Sequence, residues 1–456
     1  MPSELEVVAD VPRALLVDVY ELTMADAYRL HGMAGRPATF SLYVRELPPE
    51  RSYLVAAGLD DALTWLERLS FGPDELAAVE RLGLFPAEFL DHLAALRFTG
   101  RVRAVPEGTI VFAGEPLLEV DAPIDEGQLA ETFLLNQLTL QTMLATKASR
   151  FREAAPGRAL VEFALRRAHG VDAGMKLARV CGLVGFDGTS NVAGADRYGV
   201  PASGTMAHAF VQAHEDEVAA FRAFADALGE RAVLIVDTYE TARGVERAIQ
   251  VAGEMRARGI EIKGIRLDSG DLAQLAGAAR QRLDEAGFPD LQILASGGLD
   301  EHEVARLVHE EQAPIDGFGV GTALGASTDA PVLESVYKLV AHECRMVRKT
   351  STGKSSWPGP KQVWRAPDWS EDVLTLADEP HPAAGYEPLL EEVLRDGRRT
   401  GAGKRDLPAA NRHFEQGWDR LPARLRRLAE PDRHRVRVSA AVRRAADEID
   451  RRHEEA

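Results

Sequence analysis

From about residue 158 onward one pattern recurs: a short, continuously apolar run ends in small or polar residues and is followed by a helical pattern. The runs are "ALVEFALRR", "GLVGFDGTS", "GVPASGTMAH", "AVLIVDTYET", "IEIKGIRLDSGD", "LQILASGGLD" and "IDGFGVGTAL". A strand that is apolar at every position must be covered on both faces, and a parallel sheet flanked by helices does this. Seven such runs, spaced by about 18–30 residues, predict an α/β fold with an irregular (β/α) barrel over residues 151–345. In a barrel of this kind all the strands end on one face, so residues far apart in sequence share a site there.

Residues 1–150 read differently. Helical stretches such as "ELTMADAYRL" and "GLDDALTWLERL" mix with extended runs such as "ATFSLYV", which predicts an α+β domain. The unbroken helical spacing of "QLAETFLLNQLTLQTMLATKASRF" predicts a long connecting helix. Residues 346–456 form a C-terminal extension. It opens with the Gly-, Pro- and Lys-rich "MVRKTSTGKSSWPGPKQVWR", read either as a surface hairpin or as a loop lending lysines to a phosphate site. From about residue 415 it reads as a solvated helical tail. A length of 456 residues suits two or three domains.

The net charge of -17 argues against nucleic acid as a partner. No apolar run approaches a membrane span, and the acidic start lacks the pattern of a secretory leader, so a cytoplasmic protein is expected. Cys181 and Cys344 stand far apart without a CxxC pair and read as buried thiols.

The strand ends carry the chemistry. They hold Arg166 and Arg167, Asp187 to Asn191, Thr205 and His208, Asp237 and Thr238, Arg266 with Asp268 and Asp271, Ser296 to Gly298, and Gly319 to Thr322. The last two ends, "ASGGLDEHEV" and "GVGTALGAS", predict a phosphate site. Backbone N–H groups can close on an anion only where no Cβ intrudes, hence Gly297, Gly298, Gly319 and Gly321. Arg266 and Asp268 alternate with Leu267 and share a side of their strand, where a cation beside a carboxylate suits a phosphorylated ribose. Asp271 also reads as the cap of the following helix. Phe163 with Arg166 or Arg167 would hold a flat aromatic acid by stacking and a carboxylate fork, although a core phenylalanine and two surface arginines fit the same letters. His208, among apolar neighbours, reads alone as a packed histidine as readily as a reactive one.

Taken together, "LLVDVYELTMADAY", "EFALRRAHG", "GFDGTSNVAGADRYGVPASGTMAHAFV", "GIRLDSGD", "ILASGGLDE" and "GFGVGTAL", with the stretch at 352–365, resemble the nicotinate phosphoribosyltransferases over roughly residues 14–365. The resemblance implies a type II phosphoribosyltransferase fold and a homodimer with shared active sites. The implied reaction joins nicotinate to phosphoribosyl pyrophosphate with Mg2+, giving nicotinate mononucleotide and pyrophosphate, stimulated by ATP. It implies that Tyr20 stacks on the pyridine ring from the neighbouring subunit, opposite Phe163. Arg166, Thr205 and Arg266 would hold nicotinate and phosphates, Gly298, Gly321 and Thr322 the ribose phosphate, and Asp268 the ribose hydroxyls. His208 matches the histidine that ATP phosphorylates. Ala209 stands where many relatives carry serine.

Two other readings remain. A nicotinamide phosphoribosyltransferase shares the fold, but its acceptor aspartate is replaced here by Ser190, and a carboxylate substrate matches Arg166 better. A barrel lyase or isomerase acting through a Schiff base would need Lys263.

Overall fold

The computed structural model describes residues 13–351 and 354–455. The first twelve residues, on which the expected lack of a leader partly rests, and Thr352 and Gly353 of the lysine-rich stretch lie outside the described residues. The chain divides into two compact units. One comprises the chain up to Met143 with Val332–Leu425 and the segment from Glu430; the other comprises Leu144–Pro331 with Arg426–Ala429. The division falls inside one uninterrupted helix, Glu131–Ala154.

The second unit carries the predicted parallel sheet. Its strands are β1 (Ala159–Glu162), β2 (Gly188–Thr189), β3 (Val233–Ile235), β4 (Gly264–Leu267), β5 (Gln292–Ser296) and β6 (Gly317–Val320), in the order β2-β1-β6-β5-β4-β3. Every ladder between them is parallel. The apolar runs are buried as expected, with Ile235, Ile265, Leu267, Ile293, Ala295 and Val320 fully inside. Polar residues after the strands start the next helices. The side chains of Asn191, Asp271 and Asp300 accept from the backbone N–H groups of Gly194, Gln274 and Glu303, which removes one orphan donor from each helix.

One predicted strand is absent. "GVPASGTMAH" forms only an isolated bridge, Thr189 to Ala202. Pro201 offers no N–H to a ladder and Gly204 no side chain to pack, so the segment runs as a loop into the helix beginning at His208. Among the described residues no ladder joins β2 to β3, so these remain the two edges of the sheet.

The first unit is α+β. A seven-stranded antiparallel sheet has the order 345–346, 335–342, 37–44, 116–123, 101–104, 391–395, 398–399. Phe40 stacks on Tyr337 at 4.9 Å within it. The extension from residue 346 is woven into this unit, giving strands to that sheet and to a four-stranded sheet ordered 387–388, 361–365, 372–376, 436–438. Its helices are not merely solvated: Phe414, Trp418, Val442, Ala446 and Ile449 are buried. Spaced three and four residues apart, they give narrow apolar stripes that the many arginines and glutamates mask in the composition. Lys361 is buried too, its Nζ donating to Gly359 O at 2.7 Å and lying 3.2 Å from Glu119.

Cys181 is buried, and burial pushes its thiol well above the usual range. Cys344 is exposed, against expectation, because it falls in the turn between strands 335–342 and 345–346. Among the described residues no helix is long and apolar enough to cross a membrane.

Candidate active site

At the ends of β1, β4, β5 and β6 the second unit forms a pocket of about 550 Å³, within the range typical of small-molecule sites. It is lined by Phe163, Arg166 and Arg167 after β1, Arg266 and Asp268 on and after β4, Ser296 at the end of β5 with Gly297 to Asp300 after it, and Gly319, Gly321 and Thr322 from β6 onward. Eleven of the residues singled out in the sequence thus meet in one cavity: Phe163, Arg166, Arg167, Arg266, Asp268, Ser296, Gly297, Gly298, Gly319, Gly321 and Thr322. Three guanidinium groups face two carboxylates there, Asp268 and Asp300, which makes the pocket cationic on a chain that is strongly acidic. Such a wall favours an anionic ligand.

Arg266 is the most constrained of the cations. Burial works against its charge and lowers its pKa, with the carboxylates of Asp268 and Asp237 pulling the other way. Its Nη2 donates to Met206 O at 2.9 Å, whereas its Nε is buried with no partner. A buried donor left unmade costs about 1–3 kcal/mol. Asp268 is held on both sides: its Oδ1 accepts from Ser296 Oγ at 2.5 Å and its backbone N–H donates to Asp237 Oδ2 at 2.9 Å.

The glycines have reasons that the sequence did not disclose. At Gly297, φ is +88° and an added Cβ would lie 1.9 Å from Asp268 O, so β5 turns directly against the loop after β4. At Gly319 an added Cβ would lie 2.3 Å from Cε2 of Phe163. This glycine makes room for the aromatic ring, whereas sequence reasoning assigned the space to a phosphate.

His208, Thr205, Ser190, Asp271 and Tyr20 do not line the pocket. His208 is close to it, with Nε2 3.7 Å from Asp268 Oδ2 and Nδ1 3.1 Å from Thr238 Oγ1. Thr205 precedes Met206, whose carbonyl receives Arg266. Ser190 donates its backbone N–H to Glu162 O at 2.8 Å. Asp271 is exposed and caps the helix Leu272–Glu285, its Oδ1 accepting from Gln274 N at 3.1 Å. Tyr20 belongs to the other unit, 44% exposed on the helix Val19–Leu30, and partial burial together with Glu131 pushes its hydroxyl above the usual range.

Two buried carboxylates that sequence reasoning left without a role organise the loops. Glu162 accepts from Ala164 N and, at 2.5 Å, from Thr189 Oγ1, tying the turn of Phe163 and Arg166 to the end of β2. Burial raises its pKa, and these hydrogen bonds oppose that. Asp237 accepts from both Asp268 N and, at 2.6 Å, Ser269 Oγ. Their positions at strand ends were the available signal; only the fold shows that they face protein rather than the pocket.

The N-terminal-domain model of nicotinate phosphoribosyltransferase (NAPRTase) matches residues 15–139, and the NAPRTase family model matches residues 159–356. A nicotinate phosphoribosyltransferase of Mycobacterium tuberculosis is 47% identical over 420 residues, covering 91% of this chain and 89% of its own. The chain belongs to the nicotinate phosphoribosyltransferase family. The enzyme of that name from Bacillus subtilis is 41% identical over 393 residues, covering 85% of this chain and 78% of its own. In three dimensions the crystal structure of human nicotinic acid phosphoribosyltransferase superposes with a TM-score of 0.83 at 29% identity, covering 95% of this chain and all of that one. The family therefore accounts for both the α+β unit and the parallel-sheet unit.

Proposed function

We propose that this nicotinate phosphoribosyltransferase family member joins nicotinate to phosphoribosyl pyrophosphate, releasing nicotinate mononucleotide and pyrophosphate, as a step in NAD salvage. The observation that carries the reading is the clustering of Arg166, Arg167 and Arg266 around Phe163 in one pocket. An aromatic face with planar cations beside it suits a flat aromatic acid, and the remaining cation and loop amides suit phosphates. The pyridine nitrogen forms its bond to the ribose carbon as the carbon–oxygen bond to pyrophosphate breaks, and pyrophosphate leaves with the electron pair. Positive charge grows on the ribose during that step, so Asp268 stabilises it while orienting the sugar hydroxyls.

Among the described residues no three His, Cys, Asp or Glu side chains gather to hold a metal ion. Among the described residues Asp268 and Asp300 are the carboxylates that line the pocket, which fits a Mg2+ that arrives on pyrophosphate rather than in a protein cage. When bound, it neutralises charge on the leaving group.

In this proposal ATP stimulates the reaction through His208. A neutral imidazole nitrogen bonds to the γ-phosphorus as the bond to ADP breaks, ADP leaves with the electron pair, and water later takes the phosphoryl group. His208 is half-exposed and stands beside Asp268, which supports access to both ATP and the pocket. A homodimer whose partner supplies Tyr20 to the pocket completes the proposal, and the exposure of that ring supports it.

The deciding experiment compares nicotinate with nicotinamide as acceptor for the purified protein, each with and without ATP. Selective mononucleotide formation from nicotinate, accelerated by ATP and no longer accelerated in His208→Ala, is expected. Preference for nicotinamide would overturn the role of the arginines, and full ATP stimulation in His208→Ala would overturn that of the histidine.

A further inference from the structure

The ring of His208 needs a support that its own backbone does not give. It is the first residue of a five-residue helix, His208–Gln212, and the chain before it makes one isolated bridge in place of a ladder. Its side chain is 40% exposed. Two groups from two different strand ends reach it: Thr238 Oγ1 at 3.1 Å from Nδ1, and Asp268 Oδ2 at 3.7 Å from Nε2. Only the first is a hydrogen bond, since 3.7 Å lies beyond that range. A carboxylate at that distance attracts a charged ring but does not set its plane.

Thr238 is well placed to set it. It follows Asp237, which is buried at the end of β3 and bound to Asp268 N and Ser269 Oγ, so the backbone under Thr238 is tied to the loop after β4. Its β-branched side chain has few rotamers, and its hydroxyl both donates and accepts, so it serves either neutral tautomer of the imidazole. From these contacts we infer that Thr238 is a positioning residue for His208, holding the imidazole in line for phosphoryl transfer from ATP. The inference rests on the reading of His208 as the phosphorylated residue. Thr238 itself touches neither ATP nor the pyridine substrate in this scheme; it acts through the ring.

The test uses the purified full-length protein and ATP labelled in its γ-phosphate. The rate of alkali-stable, acid-labile label incorporation is measured alongside the ratio of ATP-stimulated to ATP-independent nucleotide formation. Thr238→Val keeps the shape and removes the hydroxyl, so both quantities are expected to fall about five- to tenfold, as for one lost directional hydrogen bond. Thr238→Ser restores the hydroxyl and should recover to within about threefold of the parent. A purely structural role would lower ATP-dependent and ATP-independent rates together and leave their ratio alone, and Thr238→Ala, read the same way, covers the case in which the valine variant folds poorly. Parental labelling and an unchanged ratio in both the valine and alanine variants would overturn the inference. His208→Asn separates the two readings: if it still incorporates label, the phosphohistidine assignment falls and Thr238 loses its role with it. If label vanishes in His208→Asn yet persists at full rate in Thr238→Val, only the positioning role falls.

Discussion

Adding one methyl group at Gly319 tests the aromatic wall of the pocket. In Gly319→Ala the new Cβ would stand 2.3 Å from Cε2, 2.6 Å from Cδ2 and 3.2 Å from Cζ of Phe163, where ordinary contact begins at 3.4 Å. The ring must therefore retreat by roughly 1 Å, or the strand must move. Phe163 is only half-buried and borders the cavity, so the ring gives way into the pocket and the cost in stability stays at the low end of overpacking, about 1 kcal/mol. In the function proposed above that face stacks the pyridine ring, where a shift of about 1 Å costs on the order of a hundredfold in rate. KM for nicotinate and kcat should both suffer, while KM for phosphoribosyl pyrophosphate changes little. Gly277→Ala, in the helix Leu272–Glu285 of the same unit, is the control, because an added Cβ there meets nothing within 4 Å. Steady-state kinetics with each substrate varied, plus thermal melts, give the comparison. A Gly319→Ala enzyme with parental nicotinate kinetics would refute both the packing argument and the assignment of Phe163 to the substrate.

Two further predictions concern stability. Burial pushes the Glu21 carboxyl up to about 7, opposed by hydrogen bonds from the hydroxyl and backbone N–H of Thr132. The folded state then holds a proton that the unfolded chain releases above its ordinary value of 4.5, so stability falls as pH rises from about 4.5 to 7 and stays low above that. Glu21→Gln should be more stable than the parent by about 1–3 kcal/mol at pH 8 and lose that advantage below pH ~4.5; parallel melting profiles across pH would contradict the argument. In the second unit, Lys147 is buried between Glu301, at 2.5 Å, and Asp329, at 2.8 Å, and with Arg150 it more than offsets the burial that would raise the pKa of Glu301. Lys147→Met leaves two carboxylates short of a cation and should cost about 3–5 kcal/mol in denaturant unfolding, whereas a loss below 1 kcal/mol would mean that water reaches the cluster.

By itself the sequence determined what depends on neighbours a few residues away. Continuous apolar runs such as "LQILAS" and "GFGV" read as strands of a covered sheet, and the letters after them read as turns, caps and candidate site residues; eleven of those singled out line one cavity. Alternation along β4 correctly set Arg266 and Asp268 apart from the buried Leu267. What remained illegible depends on partners distant in the chain. "GVPASGTMAH" reads as one more run in the apolar series, but an extended run becomes a strand only when it pairs along a neighbour, and Pro201 has no N–H to give to a ladder. The arginine-rich tail hid Trp418 and Ile449, whose burial depends on the sheets they cover. In the sequence Gly319 reads as space for an anion, and only the packed fold shows the ring of Phe163, 156 residues earlier in the chain, lying in that space. Glu162, Asp237 and Thr238 gained roles for the same reason: a carboxylate or hydroxyl at a strand end can face ligand or protein, and tertiary contacts alone choose between them.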